Sequence, residues 1–296
     1  MRRHRLIVVL VVAMLVVLAV FLYPRRSHFH ELPNPNGYDA LVHHASRISR
    51  NYSDLKEMTS NQLAELVTTN EAVVKDIRAA LNLKSVVPVQ TTEGWIATQT
   101  TQLMNLKASA QAMDAEAYCW QQKGDYTKAM ALCLDEVRFS HATMRGGVLI
   151  NYLVGSACET IAVRRMTNFL LQLNSLQCKE AARLLEEIDS QRESFEKVSA
   201  RELEWQRKTH SVFVRLKEGF KKHVLGESDF FSALAGDPKS EYQRRTLEVR
   251  RLFLNLARRA YELETGSSPS QISTLIPAYL STIPRDPGTG AMLDLP

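Results

Sequence analysis

Residues 112–139 read AMDAEAYCWQQKGDYTKAMALCLDEVRF, and this stretch decides the fold class. A helix runs into Lys123, Gly124-Asp125 makes a turn, and a second helix starts near Tyr126. Ala129, Leu132, Cys133, Glu136 and Val137 then follow at helical spacing. The chain is therefore expected to be mainly α, a bundle of helical hairpins.

The G-D-Y-x-x-A core of this turn, residues 124–129, resembles the turn of a tetratricopeptide hairpin. Only one copy is evident, and a solenoid needs about three stacked repeats to make a continuous core. An ordinary helical hairpin is the simpler expectation. Working outward, proline is absent from residues 89–237, which permits long helices there. Residues 38–82 read as one or two helices, and 84–94 break the pattern. Gly146-Gly147 opens a helix over 147–173, expected to be the central buried one. Its uncharged run, 146–158, is too short to cross a bilayer. Residues 175–224 read as one long charged helical stretch. Residues 226–240 are expected to be a loop whose Phe230-Phe231 pair plugs the core. Together 38–225 form the expected helical domain, and 241–296 a C-terminal module.

At the other end, Leu6 to Tyr23 reads LIVVLVVAMLVVLAVFLY, eighteen residues without a charge. As a helix this covers roughly 27 Å, short but sufficient for a hydrocarbon core of about 30 Å. A cleaved signal peptide is the competing reading, but its apolar core is usually about 7–15 residues long. No A-x-A site precedes Pro24. Residues 6–23 are thus expected to be a transmembrane anchor. Arg2, Arg3 and Arg5 precede it, and only Arg25 and Arg26 follow. That asymmetry favours a cytoplasmic tail at 1–5 and an extracytoplasmic bulk at a bacterial inner membrane. Residues 24–37, with Pro33 and Pro35, read as an extended juxtamembrane linker.

The net charge of +5 points first to nucleic acid. Five of the 37 Lys and Arg flank the anchor, and the remainder balances the 32 acids. The basic character then belongs to topology, and a bilayer and a protein partner are expected, not nucleic acid.

The C-terminal sequence carries the most specific pattern. A helix over 241–265 places Val249, Leu252, Phe253, Leu256, Ala260 and Leu263 on one side, with Arg244, Arg251 and Arg258 on the other. It ends A-Y-E-L-E-T-G at Gly266. The motif x-x-P-S-x-x-x-x-L-I-P-x-Y-L-x-x-I-P-x-D-P-x-T-G follows. This resembles the tail of the major pseudopilin of type II secretion, and of a group of uncharacterised, membrane-anchored helical bacterial proteins. The resemblance implies that the long helix meets a short segment and a small irregular or β region. Read from the residues alone, Ser270 can cap a short helix through Ile276, and residues 292–295 can make an edge strand. It also departs from the family. Residues 6–23 lack the Gly-Phe-Thr-Leu-x-Glu processing motif. Asp286 and Asp294 are the tail's only carboxylates, too few for a Ca²⁺ ion that takes six to eight oxygens.

Catalytic signatures are missing: there is no H-E-x-x-H, Walker loop, G-x-S-x-G or C-x-x-C. His28-x-His30-Glu31 lies in the expected linker and reads as solvated. Glu202 and Glu204, two apart, point to different sides of a helix and make no acid/base pair. No catalytic, cofactor or metal residue is assigned. Cys133 and Cys158 fall at matching heights if 126–143 and 147–173 form an antiparallel hairpin. They are a candidate disulfide, with buried free thiols as the commoner alternative. The expectation is a non-enzymatic helical scaffold or protein-interaction module. An accessory of type II secretion or pilus assembly is one alternative, and an enzyme with a dispersed site is another.

Overall fold

The computed structural model describes residues 29–49, 55, 57–92, 94–209 and 237–295. Among the described residues the fold is mainly α, with eight α-helices and no strand. They are α1 (Gly37–Ala45), α2 (Ser60–Ala80), α3 (Trp95–Gln122), α4 (Tyr126–Met144), α5 (Leu149–Phe169), α6 (Ser175–Ser190), α7 (Phe195–Thr209) and α8 (Pro238–Thr265).

Each boundary follows from local chemistry. Asn36 caps α1 by accepting from the Tyr38 N–H. Thr59 and Gln62 form a reciprocal capping box on α2, as Asn174 and Gln177 do on α6. Between α3 and α4, Gly124 takes φ 75° and Asp125 caps α4 by accepting from the Lys128 N–H. The α3–α4 hairpin therefore turns at 124–125. Asp237 caps α8, Pro238 fills its first position, and Gly266 closes it in the left-handed region.

The hairpin helices α3, α4 and α5 pack on one another at the centre. On one side, Tyr38, Leu41, Val74, Ile77, Leu103, Leu106 and Phe139 form a core with α1 and α2. On the other, Val137, Met166, Phe169, Leu185, Phe253 and Leu256 form a second core with α6 and α8. Helix α5 is buried centrally and carries Glu159 inward.

Several expectations need correction. The anchor at 6–23, its flanks at 1–5 and 24–28, and the Phe230-Phe231 pair lie outside the described residues. Among the described residues no helix is long and apolar enough to cross a membrane. The transmembrane reading and the inner-membrane location are set aside on that finding. The stretch 29–36 is no free linker. Phe29 packs by Trp95, Val148 and Trp205, and the Asn36 side chain bonds Val86 through both its oxygen and its nitrogen.

The stretch from 175 is not one helix. It breaks at residues 191–194, because Arg192 turns into the core to meet Glu159 and Asp189 while Glu193 meets Arg201. Within 226–240, α8 already begins at Pro238. The tail forms a 3-10 turn at Ile272–Leu275 without a side-chain cap, in place of a helix from Ser270. In place of an edge strand it makes one isolated bridge, Arg285 to Met292. Asp286 accepts from the Gly288 and Thr289 N–H groups and fixes the turn inside that bridge. Leu275, Tyr279 and Leu280 are buried in the second core. Glu186 accepts from the Ser281 and Thr282 N–H groups at 2.8 and 2.9 Å.

Candidate functional site

An open cleft of about 550 Å³ lies between α1, the 88–92 connector and the start of α3. Small-molecule sites span about 300–1,000 Å³, so the volume is adequate for a ligand. Tyr38, Asp39 and His43 of α1 face Trp95, Gln99 and Gln102 of α3 across it.

Its polar floor is oriented by the backbone. The Val148 N–H donates to Asn151 Oδ1 at 3.2 Å, so the Asn151 amide nitrogen points the other way. That nitrogen donates to Gln99 Oε1 at 3.3 Å, and the Tyr38 hydroxyl donates to the same oxygen at 3.2 Å. Burial pushes the Tyr38 phenol far above its usual range, which keeps it a donor. Two donors on Gln99 Oε1 leave its nitrogen facing Gln102 Oε1, 2.8 Å away. Gln102 lines the cleft, and with its oxygen turned to Gln99 its amide nitrogen is left as a donor without a partner among the described residues. Gln99 is only 3% exposed, so solvent does not compete for the relay. Asp39, exposed on the opposite wall, accepts no hydrogen bond from the described residues.

A second constellation has the perturbed ionisation that often marks active sites. Glu159 on α5 accepts from both Arg192 Nη atoms and from His141 Nε2, at 2.6, 3.0 and 2.9 Å. Arg192 Nε also donates to Asp189, whose other oxygen takes Arg250 Nε from α8. Burial alone would raise the Glu159 carboxyl, but Arg192 and His141 outweigh it and hold it at about 2. Burial and Arg192 depress the His141 imidazole, against the pull of Glu159. The space beside this network is about 10 Å³, room for one water at most. Its carboxylates are all paired, and the network ties α4, α5, α6 and α8 together.

Glu193 plays a similar part at the α4–α5 turn. It receives the Gly146 N–H at 2.8 Å and Arg201, while Arg201 Nε donates to the Gly147 carbonyl at 2.9 Å. His30 Nε2 sits 3.0 Å from Glu193, so the histidine read as solvated is docked. Glu202 accepts from the Leu149 N–H and caps α5, whereas Glu204 pairs with Lys208. Glu136 is the exception among the buried acids: it is 0% exposed and neither carboxyl oxygen has a partner.

Cys133 and Cys158 are free thiols, as are Cys119 and Cys178. Cys133 belongs to the second core and Cys158 to the first. Among the described residues no group of three or more His, Cys, Asp or Glu could hold a metal. Asp286 is occupied by its own turn.

The cleft residues carried no sequence motif. Tyr38 and Gln99 are 61 apart, and Gln99 and Asn151 are 52 apart. No family model, no curated protein and no solved structure matches the chain, so the site rests on its own geometry.

Proposed function

We propose that this chain is a non-enzymatic helical interaction module whose recognition site is the α1–α3 cleft. The observation that carries the reading is the relay from Val148 through Asn151 and Gln99. It spends four buried polar groups to hold one amide donor, on Gln102, at the wall of an open cleft. Preorganised donors at a concave surface lower the entropy cost of binding and set specificity. The enzyme reading is weaker. Asp39 and His43, one helical turn apart, are the titratable groups beside Tyr38 on the cleft wall. No cysteine or serine accompanies them among the described lining residues. The secretion-accessory reading rests on the tail, whose Leu275, Tyr279 and Leu280 are buried against α6 and α8.

The test is binding of the purified chain to an array of heptapeptides of varied composition, alongside Thr98→Trp. Thr98 is exposed on the cleft wall, so tryptophan there fills the cleft and leaves both cores untouched. Retention of a peptide subset by the parent, lost in Thr98→Trp at an unchanged unfolding midpoint, supports the reading. No retained peptide, or the same subset retained by both proteins, overturns it.

A further inference from the structure

We propose that the cleft recognises a lysine-bearing extended peptide segment, its ammonium set against Asp39 and a neighbouring backbone carbonyl accepting from the Gln102 amide. This rests on the interaction-module reading and names the chemistry of the partner.

The argument proceeds by charge and then by ring access. No lysine or arginine is among the described residues lining the cleft, and Asp39 contributes a carboxylate. An anionic ligand would lose its hydration next to a like charge, with no fixed cation to offset the cost and only the His43 imidazole beside it. Phosphates and acidic peptides are excluded on that ground. A sugar would need an open aromatic face for its C–H groups. Tyr38 is 1% exposed and Trp95 5%, so neither ring offers one. A cationic group remains. It would find an acceptor in Asp39, which is otherwise unused among the described residues.

Gln102 adds the second requirement. Its nitrogen donates, and its oxygen already accepts from Gln99. The partner must therefore bring an acceptor as well as a cation. A free amine has the cation only. A lysine within a peptide carries both, the carbonyl on the main chain and the ammonium on a stem that reaches past it.

The experiment is isothermal titration of the full chain with three acetylated and amidated heptapeptides, identical except for a central Lys, Glu or Ser, and with lysine amide. The Lys peptide binds most tightly, and Asp39→Asn weakens it about three- to fivefold, as one exposed charge contact should. The same substitution leaves the Ser peptide unchanged. Gln102→Ala weakens the Lys and Ser peptides alike, because it removes the donor to the main chain. Raising the salt narrows the gap between Lys and Ser.

Equal binding of all three peptides, abolished by Thr98→Trp, would overturn the lysine assignment and leave the interaction module standing. Binding of no peptide would remove both. Lysine amide binding as tightly as the Lys peptide would overturn the peptide assignment in favour of a small amine. Melting curves that superimpose for parent, Asp39→Asn and Gln102→Ala establish that the losses belong to the cleft.

Discussion

Arg192 lays its guanidinium along the Glu159 carboxylate, Nη2 to Oε1 at 2.6 Å and Nη1 to Oε2 at 3.0 Å, with neither side chain more than 3% exposed. The pair joins the break between α6 and α7 to the central helix. Removing one partner strands the other in a dry interior. Arg192→Met and Glu159→Gln should therefore each cost about 3–5 kcal/mol, read from urea unfolding. The double variant should cost less than the two singles combined, since both disrupt one network.

The same network fixes how stability responds to acid. The folded His141 has a pKa below its ordinary 6.5, so below that pH the unfolded chain takes a proton that the folded one refuses. Glu159, held at about 2 against an ordinary 4.5, repeats the effect lower down. Each group stabilises the fold above its unfolded pKa, and that contribution is lost as pH falls toward the folded pKa. Unfolding midpoints should decline below about pH 6.5 and again below about pH 4.5, each by up to about 1.4 kcal/mol per pH unit. His141→Gln should remove the upper step and shrink the lower one, because His141 also helps to hold the Glu159 carboxyl down.

Glu136 carries the opposite sign. Burial, then Asp114, push its carboxyl well above the usual range, and Arg165 opposes them only in part. A raised folded pKa gives stability that is complete below about pH 4.5 and is lost as pH rises. Glu136→Gln keeps the shape and removes the ionisation. It should raise stability by about 1–3 kcal/mol at pH 8, with a smaller gain at pH 5. Urea titrations at the two pH values decide it.

At Gly155 the helices α4 and α5 meet without room for a side chain. A Cβ there would lie 2.9 Å from the Ser140 carbonyl oxygen and 2.9 Å from Met144 Cβ. Gly155→Ala should lower stability by about 1–3 kcal/mol despite its better helix propensity. A gain in thermal midpoint would contradict the close approach.

Thiol counting tests the cysteines. Unreduced, denatured protein should titrate four thiols. In the native state Cys119 alone is partly exposed and should react first, while Cys133, Cys158 and Cys178 wait on unfolding. Two titrated thiols would restore the Cys133–Cys158 bridge considered from their spacing.

The helical hairpins were legible because their signals are local. Gly124-Asp125 makes a turn wherever it sits between two helix-forming runs, and Gly266 ends α8 for the same reason. The break at 191–194 was hidden, since Arg192 and Glu193 read as ordinary surface charges until Glu159 and Arg201 are placed against them. The cleft was hidden for a related reason. Gln99 and Gln102 sit in an α3 segment of ordinary polar composition, and only Asn151 and Tyr38, supplied by other helices, orient them. Charge partners distant in sequence leave no periodic trace. Apolar spacing and turn residues leave a clear one.

The central claim is that the α1–α3 cleft is the recognition surface, and amide hydrogen exchange with and without the Lys heptapeptide tests it most directly. The account predicts slowed exchange confined to residues 38–43 and 94–102. Protection at the tail around 275–282, or on α8, with none in those two segments, would contradict it.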